Sequence, residues 1–307
     1  MTGNSYYNGG MRPILLLGKD GQVGWELQRS LAPLGSLVML GRDDCDLADA
    51  DRLCAVIRQA NPRLIVNAAA YTAVDRAEQE RESAFRVNAE APAAIAAEAR
   101  VLGVPLVHYS TDYVFDGEKT TPYLENDETD PQSVYGRSKL EGERAIAASG
   151  ARALIFRASW VFGETGENFV RTILRLAGER ESLRVVADQI GAPTPAALIA
   201  DVTAHALARL DRDAWPDGTE IYHLAAASPV SWHAFAVAIV TEARELGIKL
   251  RLTPRSIEAI STEAYPLPAR RPKNSRLDCS KSEQRFSLVM PGWKPYLRRM
   301  LMRSRSE

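Results

Sequence analysis

The chain has 307 residues, 38 Lys plus Arg against 39 Asp plus Glu, and a formal net charge of -1. That length predicts one elaborated domain or two intimate ones, and 46% hydrophobic residues suffice for a sizeable core. Balanced charge leaves no net field to hold nucleic acid or an anionic membrane, and three scattered cysteines, Cys45, Cys54 and Cys279, exclude a disulfide framework or zinc cluster and suit the cytoplasm.

Residues 1–10 are polar, lack a basic signal-type start and read as a flexible tail. From Arg12 onward, short apolar runs alternate with stretches of helical period. Strands are predicted at Ile14–Leu17, Leu37–Leu40, Leu64–Val66, Leu106–Tyr109 and Ala153–Phe156. Helices are predicted between them at Val23–Leu31, Asp51–Gln59, Ser83–Ala99 and Ser133–Ala148. Wholly apolar strands separated by helices predict an α/β fold with a doubly wound parallel, Rossmann-type sheet, and ligands at the carboxyl edge of its strands. Beyond Trp160, helices are expected at Asn168–Ala177, Ala197–Leu210 and Ser231–Leu246, and strands at Leu183–Val186 and Ile221–Leu224. The Pro-, Ser- and Arg-rich stretch from Arg251 to Trp293 reads as a substrate-side cap. The expected organisation is a dinucleotide-binding domain over 11–160 plus about 195–225. A smaller, mostly C-terminal substrate domain takes about 161–194 plus 226–307.

Along the predicted ligand edge lie several motifs. The first strand runs into Gly18-x-x-Gly21-x-x-Gly24 and then a helix. Glycines there permit a tight turn and let backbone N–H groups approach a pyrophosphate, though three glycines also make a plain turn. After the second strand, Arg42 suits a ribose 2′-phosphate and favours NADPH, against the alternative of a surface arginine. Asp46 and Leu47 suit an adenine edge or a helix start. The run Asn67-Ala68-Ala69-Ala70-Tyr71-Thr72 has small side chains that either let a cofactor pass or pack helix on sheet.

Ser110-Thr111-Asp112 ends the fourth strand, and Tyr135 and Lys139 share a face of the following helix. With 10 Tyr and seven Lys in the chain, chance supplies only about 0.2 such spacings, and the position at the sheet edge adds weight. An ammonium beside a phenol favours phenolate and lowers its pKa. Thr111 would then hydrogen-bond a carbonyl oxygen, Tyr135 deliver its proton, and a nicotinamide the hydride, which is ketone reduction. Trp160 sits where an indole can floor a sugar site or fill the core. His108 reads as a packed strand residue. Arg270, Arg271 and Arg276 read either as diphosphate ligands or as a solvated basic turn.

Together, Gly18-x-x-Gly-Gln-Val-Gly, the run from Asn67 to Asp75, Ser110 to Gly117, Tyr135-x-x-x-Lys139 and Ser159-Trp160-Val161 resemble the dTDP-4-dehydrorhamnose reductase family of extended short-chain dehydrogenases. The resemblance extends from Met11 to about Arg299. It implies reduction of the 4-keto group of dTDP-4-dehydro-L-rhamnose by NADPH or NADH, toward dTDP-L-rhamnose for surface polysaccharide. It makes Thr111, Tyr135 and Lys139 catalytic. It also places Gly21, Gln22, Val23, Asp46, Leu47, Ala70, Tyr71, Thr72, Tyr109, Tyr135 and Lys139 at the cofactor, and Thr111, Asp112 and Trp160 at the sugar nucleotide. Some members are magnesium-linked dimers. Here Glu26 remains, but Ala197 and Lys294 stand at the other two metal positions, so no metal is expected and the protein is a monomer or a homodimer. A nucleotide-sugar epimerase or dehydratase, or a non-catalytic regulatory subunit that keeps the cofactor site, are the alternatives on the same scaffold.

Overall fold

The computed structural model describes residues 11–304; the expected tail at residues 1–10 lies outside them. The main sheet has six parallel strands: β1 (Ile14–Leu17), β2 (Leu37–Leu40), β3 (Leu64–Asn67), β4 (Leu106–Thr111), β5 (Ala153–Ala158) and β6 (Thr219–His223). Their spatial order is β2-β1-β3-β4-β5-β6. The edge strand β6 covers most of the expected Ile221–Leu224 run but starts two residues earlier and stops before Leu224.

Sheet faces follow from the period-2 alternation of side chains. On β1, Ile14 and Leu16 enter one apolar cluster and Leu15 and Leu17 the other. The longer helices are α1 (Gln22–Leu31), α2 (Ala50–Ala60), α3 (Ala91–Leu102), α4 (Val134–Ala148), α5 (Phe169–Glu179), α6 (Ala196–Asp213), α7 (Trp232–Glu245), α8 (Ser280–Phe286) and α9 (Lys294–Ser304). Leu27 and Leu31 of α1 and Ile199 and Val202 of α6 cover the first face. Leu53 and Ile57 of α2, Ile95 and Ala99 of α3 and Ile146 of α4 cover the second.

After Trp160 a smaller lobe forms. Leu183–Val186 pairs parallel with Ile257–Ile260, and Val230–Ser231 and Asn274–Ser275 flank Ile190–Gly191. The apolar cluster that contains Ile14 and Leu27 continues into this lobe through Phe235, Trp293 and Leu301. The two lobes therefore share a core and are not joined by an exposed linker.

The helix expected over 83–99 is interrupted. An α-helical turn at Arg81–Phe85 passes into a π-turn at Arg86–Glu90 before α3 begins. Pro92 has no N–H to give the Asn88 carbonyl four residues back, and a widened turn accommodates that loss. The freed carbonyl faces α4, where a Cβ on Gly142 would come within 2.1 Å of Asn88 O. Gly142→Ala should therefore force the two helices apart and lower unfolding free energy by about 2 kcal/mol, read by urea denaturation; an unchanged midpoint would contradict this packing.

Candidate active site

The parallel register aligns Leu17 with Leu40 and Asn67, and Thr111 with Ala158, so the loops after these strands leave from one edge. Strand order reverses between β1 and β3, which opens a crevice there. Gly18 (φ +85°) packs so closely on the loop after β3 that a Cβ would lie 2.6 Å from Ala69 N. A Cβ on Gly24 would lie 1.9 Å from Gly18 O. Helix α1 then starts at an N-cap, Gly21, with no side-chain cap and no acidic residue in its first turn. Asp49, Ser133, Asn168 and Ser231 do cap α2, α4, α5 and α7. An uncapped helix N-terminus behind a glycine cradle leaves N–H groups for an anion, and it fits a dinucleotide pyrophosphate.

The remaining expected cofactor residues border this crevice in different ways. Gln22 Oε1 accepts from Asn168 Nδ2 (3.0 Å), tying the turn to the second lobe, and Val23 packs half-buried on the core. The Arg42 side chain is 87% exposed, with Nε 3.9 Å from Asp46 Oδ2. Asp46 Oδ1 accepts from Ala48 N (3.0 Å). Leu47 is 8% exposed within the core cluster of Leu17 and Ile57, so most of its surface is already covered. Tyr71 N donates to Asn88 Oδ1 (2.9 Å) and its hydroxyl to Glu80 Oε2 (2.7 Å), while Ala70 is half-buried and Thr72 is exposed. Tyr109 points its hydroxyl at Thr203 Oγ1 (2.8 Å), inside the sheet–α6 packing, and offers the edge only its carbonyl.

Thr111, Asp112, Tyr135 and Lys139 converge at the carboxyl end of β4, all deeply buried apart from a partly accessible Tyr135. Ser133 Oγ accepts from Gly136 N (3.1 Å) and sets the first turn of α4, which presents Tyr135 to Thr111. Thr111 Oγ1 donates to Asp112 Oδ1 (3.2 Å) and accepts from Tyr113 N (3.2 Å). The Tyr113 ring meets the Tyr135 ring edge-on, with centroids 5.5 Å apart.

Lys139 and Tyr135 sit in different surroundings. Lys139 Nζ donates to the Tyr109 carbonyl (2.6 Å) and faces His108 Nε2 (3.2 Å), so its charge is tied to β4. The Tyr135 phenol is pushed above its ordinary range by burial, opposed by the Thr111 hydrogen bond. Burial also pulls Lys139 down to about 8, against the pull of Glu143. A phenol is protonated at neutral pH even at its ordinary pKa, and burial moves Tyr135 further from ionising. Burial pushes Asp112 up to about 6. Asp112 Oδ2 and Ser110 Oγ make no hydrogen bond of good geometry, although the Ser275 hydroxyl lies close enough to Asp112 to favour its carboxylate.

On the substrate side, Trp160 has φ +48°, rare for a bulky residue. Its ring stacks on Trp232 at 3.5 Å, and Gly191 packs against it so closely that a Cβ would lie 2.5 Å from its Cε2. The indole is nevertheless only half-buried. The three arginines are engaged within the protein. Arg271 pairs with Asp75 (2.5 Å), Arg270 with Glu118 (2.5 Å), and Arg276 donates to Asn274 Oδ1 (2.7 Å).

A family model described as the RmlD substrate binding domain matches residues 11–306. The chain belongs to this family. A dTDP-4-dehydrorhamnose reductase from Escherichia coli K12 is 50% identical over 293 residues, covering 94% of this chain and 96% of that protein. One from Burkholderia thailandensis is also 50% identical, over 92% of this chain and 95% of its own length. The crystal structure of the Bacillus anthracis dTDP-4-dehydrorhamnose reductase in complex with NADP superposes with a TM-score of 0.86 at 32% identity, covering 96% of this chain and all of that one.

Sequence reasoning missed several residues that hold this RmlD-type site together. Asn88 Nδ2 donates to Tyr71 O (3.0 Å) and Ser138 Oγ (3.0 Å), joining the loop after β3 to α4. Its only signal was a polar residue on a buried helical face. Glu143 and Arg157, each 3% exposed at the side chain, form a two-pronged pair (2.9 and 2.6 Å) one turn beyond Lys139. Asp112 adds a cost that depends on pH. Its raised folded pKa means stability present at pH 4 is lost as pH rises through about 6. Asp112→Asn should stabilise the protein by about 1–3 kcal/mol at pH 8 and leave it unchanged near pH 4, measured by denaturant unfolding; an equal gain at both pH values would refute a buried charge.

Proposed function

We propose that this chain is an NAD(P)H-dependent reductase of the 4-keto group of dTDP-4-dehydro-L-rhamnose, forming dTDP-L-rhamnose for surface polysaccharide. The convergence of Thr111, Tyr135 and Lys139 beside the glycine cradle carries this reading, together with 50% identity to named reductases over 94% of the chain. Gly18, Gly21 and the first N–H groups of α1 would hold the pyrophosphate. Exposed Arg42 favours a 2′-phosphate and hence NADPH. When bound, the reduced nicotinamide supplies a hydride to the keto carbon. Tyr135, a protonated phenol at neutral pH, gives its proton to the keto oxygen, and Thr111 fixes that oxygen within reach of the phenol. The carbonyl becomes a secondary alcohol and Tyr135 is left as phenolate. The ammonium of Lys139 favours that phenolate through its charge and disfavours a second positive charge nearby. Asp112, with an oxygen left unpaired, would accept from a sugar hydroxyl.

The reaction takes place on a dTDP-sugar, and the free cysteines Cys45, Cys54 and Cys279 suit a cytoplasmic enzyme. Among the described residues, no helix is long and apolar enough to cross a membrane. Glu26 does not suit a structural magnesium. It lies 3.4 Å from Arg29 and shares a cleft with Ala197, Arg299, Arg303 and Glu164, whose carboxylate Arg303 already engages, so cations outnumber the oxygens a metal needs. Magnesium titration by calorimetry should show no binding heat that Glu26→Gln removes.

Tyr135→Phe should lower kcat by about 10²–10⁴-fold while NADPH still binds, read by absorbance and by cofactor fluorescence. Turnover at the wild-type rate would reject Tyr135 as the acid.

A further inference from the structure

Three buried side chains link two backbone groups in a single direction. Ala69 N–H donates to Asn67 Oδ1 (3.1 Å), which turns the amide nitrogen of Asn67 toward His108 Nδ1 (3.2 Å). His108 Nε2 faces Lys139 Nζ (3.2 Å), and Nζ donates to the Tyr109 carbonyl (2.6 Å). Asn67 and His108 are 1% exposed and Lys139 2%, so these polar atoms depend on one another. An amide nitrogen only donates, so His108 Nδ1 must accept. In a neutral imidazole the proton then sits on Nε2. That N–H finds an acceptor in Lys139 only when the lysine is an amine, because an ammonium has donors alone.

No rearrangement removes the conflict for the ammonium form. Turning over the Asn67 amide sets its NH₂ against Ala69 N–H, and moving the imidazole proton to Nδ1 sets it against Asn67 Nδ2. We infer that Asn67 and His108 are positioning residues that set the protonation of Lys139, making it a group that exchanges a proton near neutrality and not a permanent cation. Burial holds His108 well below its ordinary range, aided by the Lys139 charge, so the ring stays neutral as the chain of bonds requires. The other ionisable group acting on Lys139 is Glu143, whose carboxylate Arg157 already engages.

The consequence for turnover rests on the reductase reading. As pH rises through the Lys139 titration, the charge favouring the Tyr135 phenolate is lost and kcat/KM falls. Imidazole ¹⁵N spectra of the purified protein at about pH 9, above the Lys139 titration, should show His108 with a proton on Nε2 and a bare Nδ1. Asn67→Asp replaces the donor with an acceptor, and should move the proton to Nδ1 and shift the basic limb of kcat/KM up by about one pH unit. His108→Gln offers the ammonium an amide carbonyl without adding charge, and should shift the limb in the same direction. A proton on Nδ1 or a doubly protonated ring in the wild type would overturn the inference, as would a limb that stays in place in both variants. The wild-type spectrum requires neither turnover nor a folded variant. Failure of the reductase reading therefore appears separately, as a protein with the expected His108 tautomer and no NADPH oxidation.

Discussion

The structure depends on burying the charged face of α4 against the ends of β4 and β5. Lys139 and Glu143, one turn apart, both point inward, and an unpaired buried charge costs several kcal/mol. The fold meets that cost with the Tyr109 carbonyl under Lys139 and with Arg157 on β5, whose guanidinium engages Glu143 through two hydrogen bonds. These contacts leave α4 little freedom to rotate or slide. Its first turn, capped by Ser133, is therefore held where Tyr135 meets Thr111. Catalytic geometry at one end of the helix is a consequence of charge pairing along it.

Around that point the local departures from ideal structure gather. The π-turn at Arg86–Glu90 aims the Asn88 side chain at the loop after β3 and at α4. Trp160 holds a left-handed backbone conformation, and Asp112 is a carboxyl buried with one oxygen unsatisfied. Each would be unfavourable in isolation, and each lies in a segment that follows or meets the carboxyl edge of the sheet. Their clustering is the pattern expected where stability is given up for a prepared site.

Much of the sheet was legible because its signal is local. Ile14–Leu17, Leu37–Leu40 and Leu183–Val186 are strands with the predicted bounds; the wholly apolar first run has one comfortable place, a parallel strand covered on both faces, while Leu183–Val186 alternates buried and exposed side chains. The glycine turn was legible because close backbone approach demands glycine at Gly18 and Gly24. The π-turn was not, because helical periodicity averages over a single extra residue, although Pro92 marked the place. Tyr135 and Lys139 were legible as a pair four apart. The direction in which Lys139 points was not, since that depends on His108 and Asn67, which are distant in sequence and reach it only across neighbouring strands. Arg270, Arg271 and Arg276 looked equally available for a diphosphate. Their partners, Glu118, Asp75 and Asn274, became visible only in three dimensions.

The most direct test of the account is to mix the purified protein with NADPH and dTDP-4-dehydro-L-rhamnose, follow nicotinamide absorbance, and identify the sugar nucleotide by chromatography. The account predicts one NADPH oxidised for each dTDP-L-rhamnose formed, with no oxidation when the sugar is left out. A folded, NADPH-binding protein that leaves this keto-sugar unreduced would contradict it, and a protein that converts the sugar without net loss of NADPH would belong to a different reaction on the same scaffold.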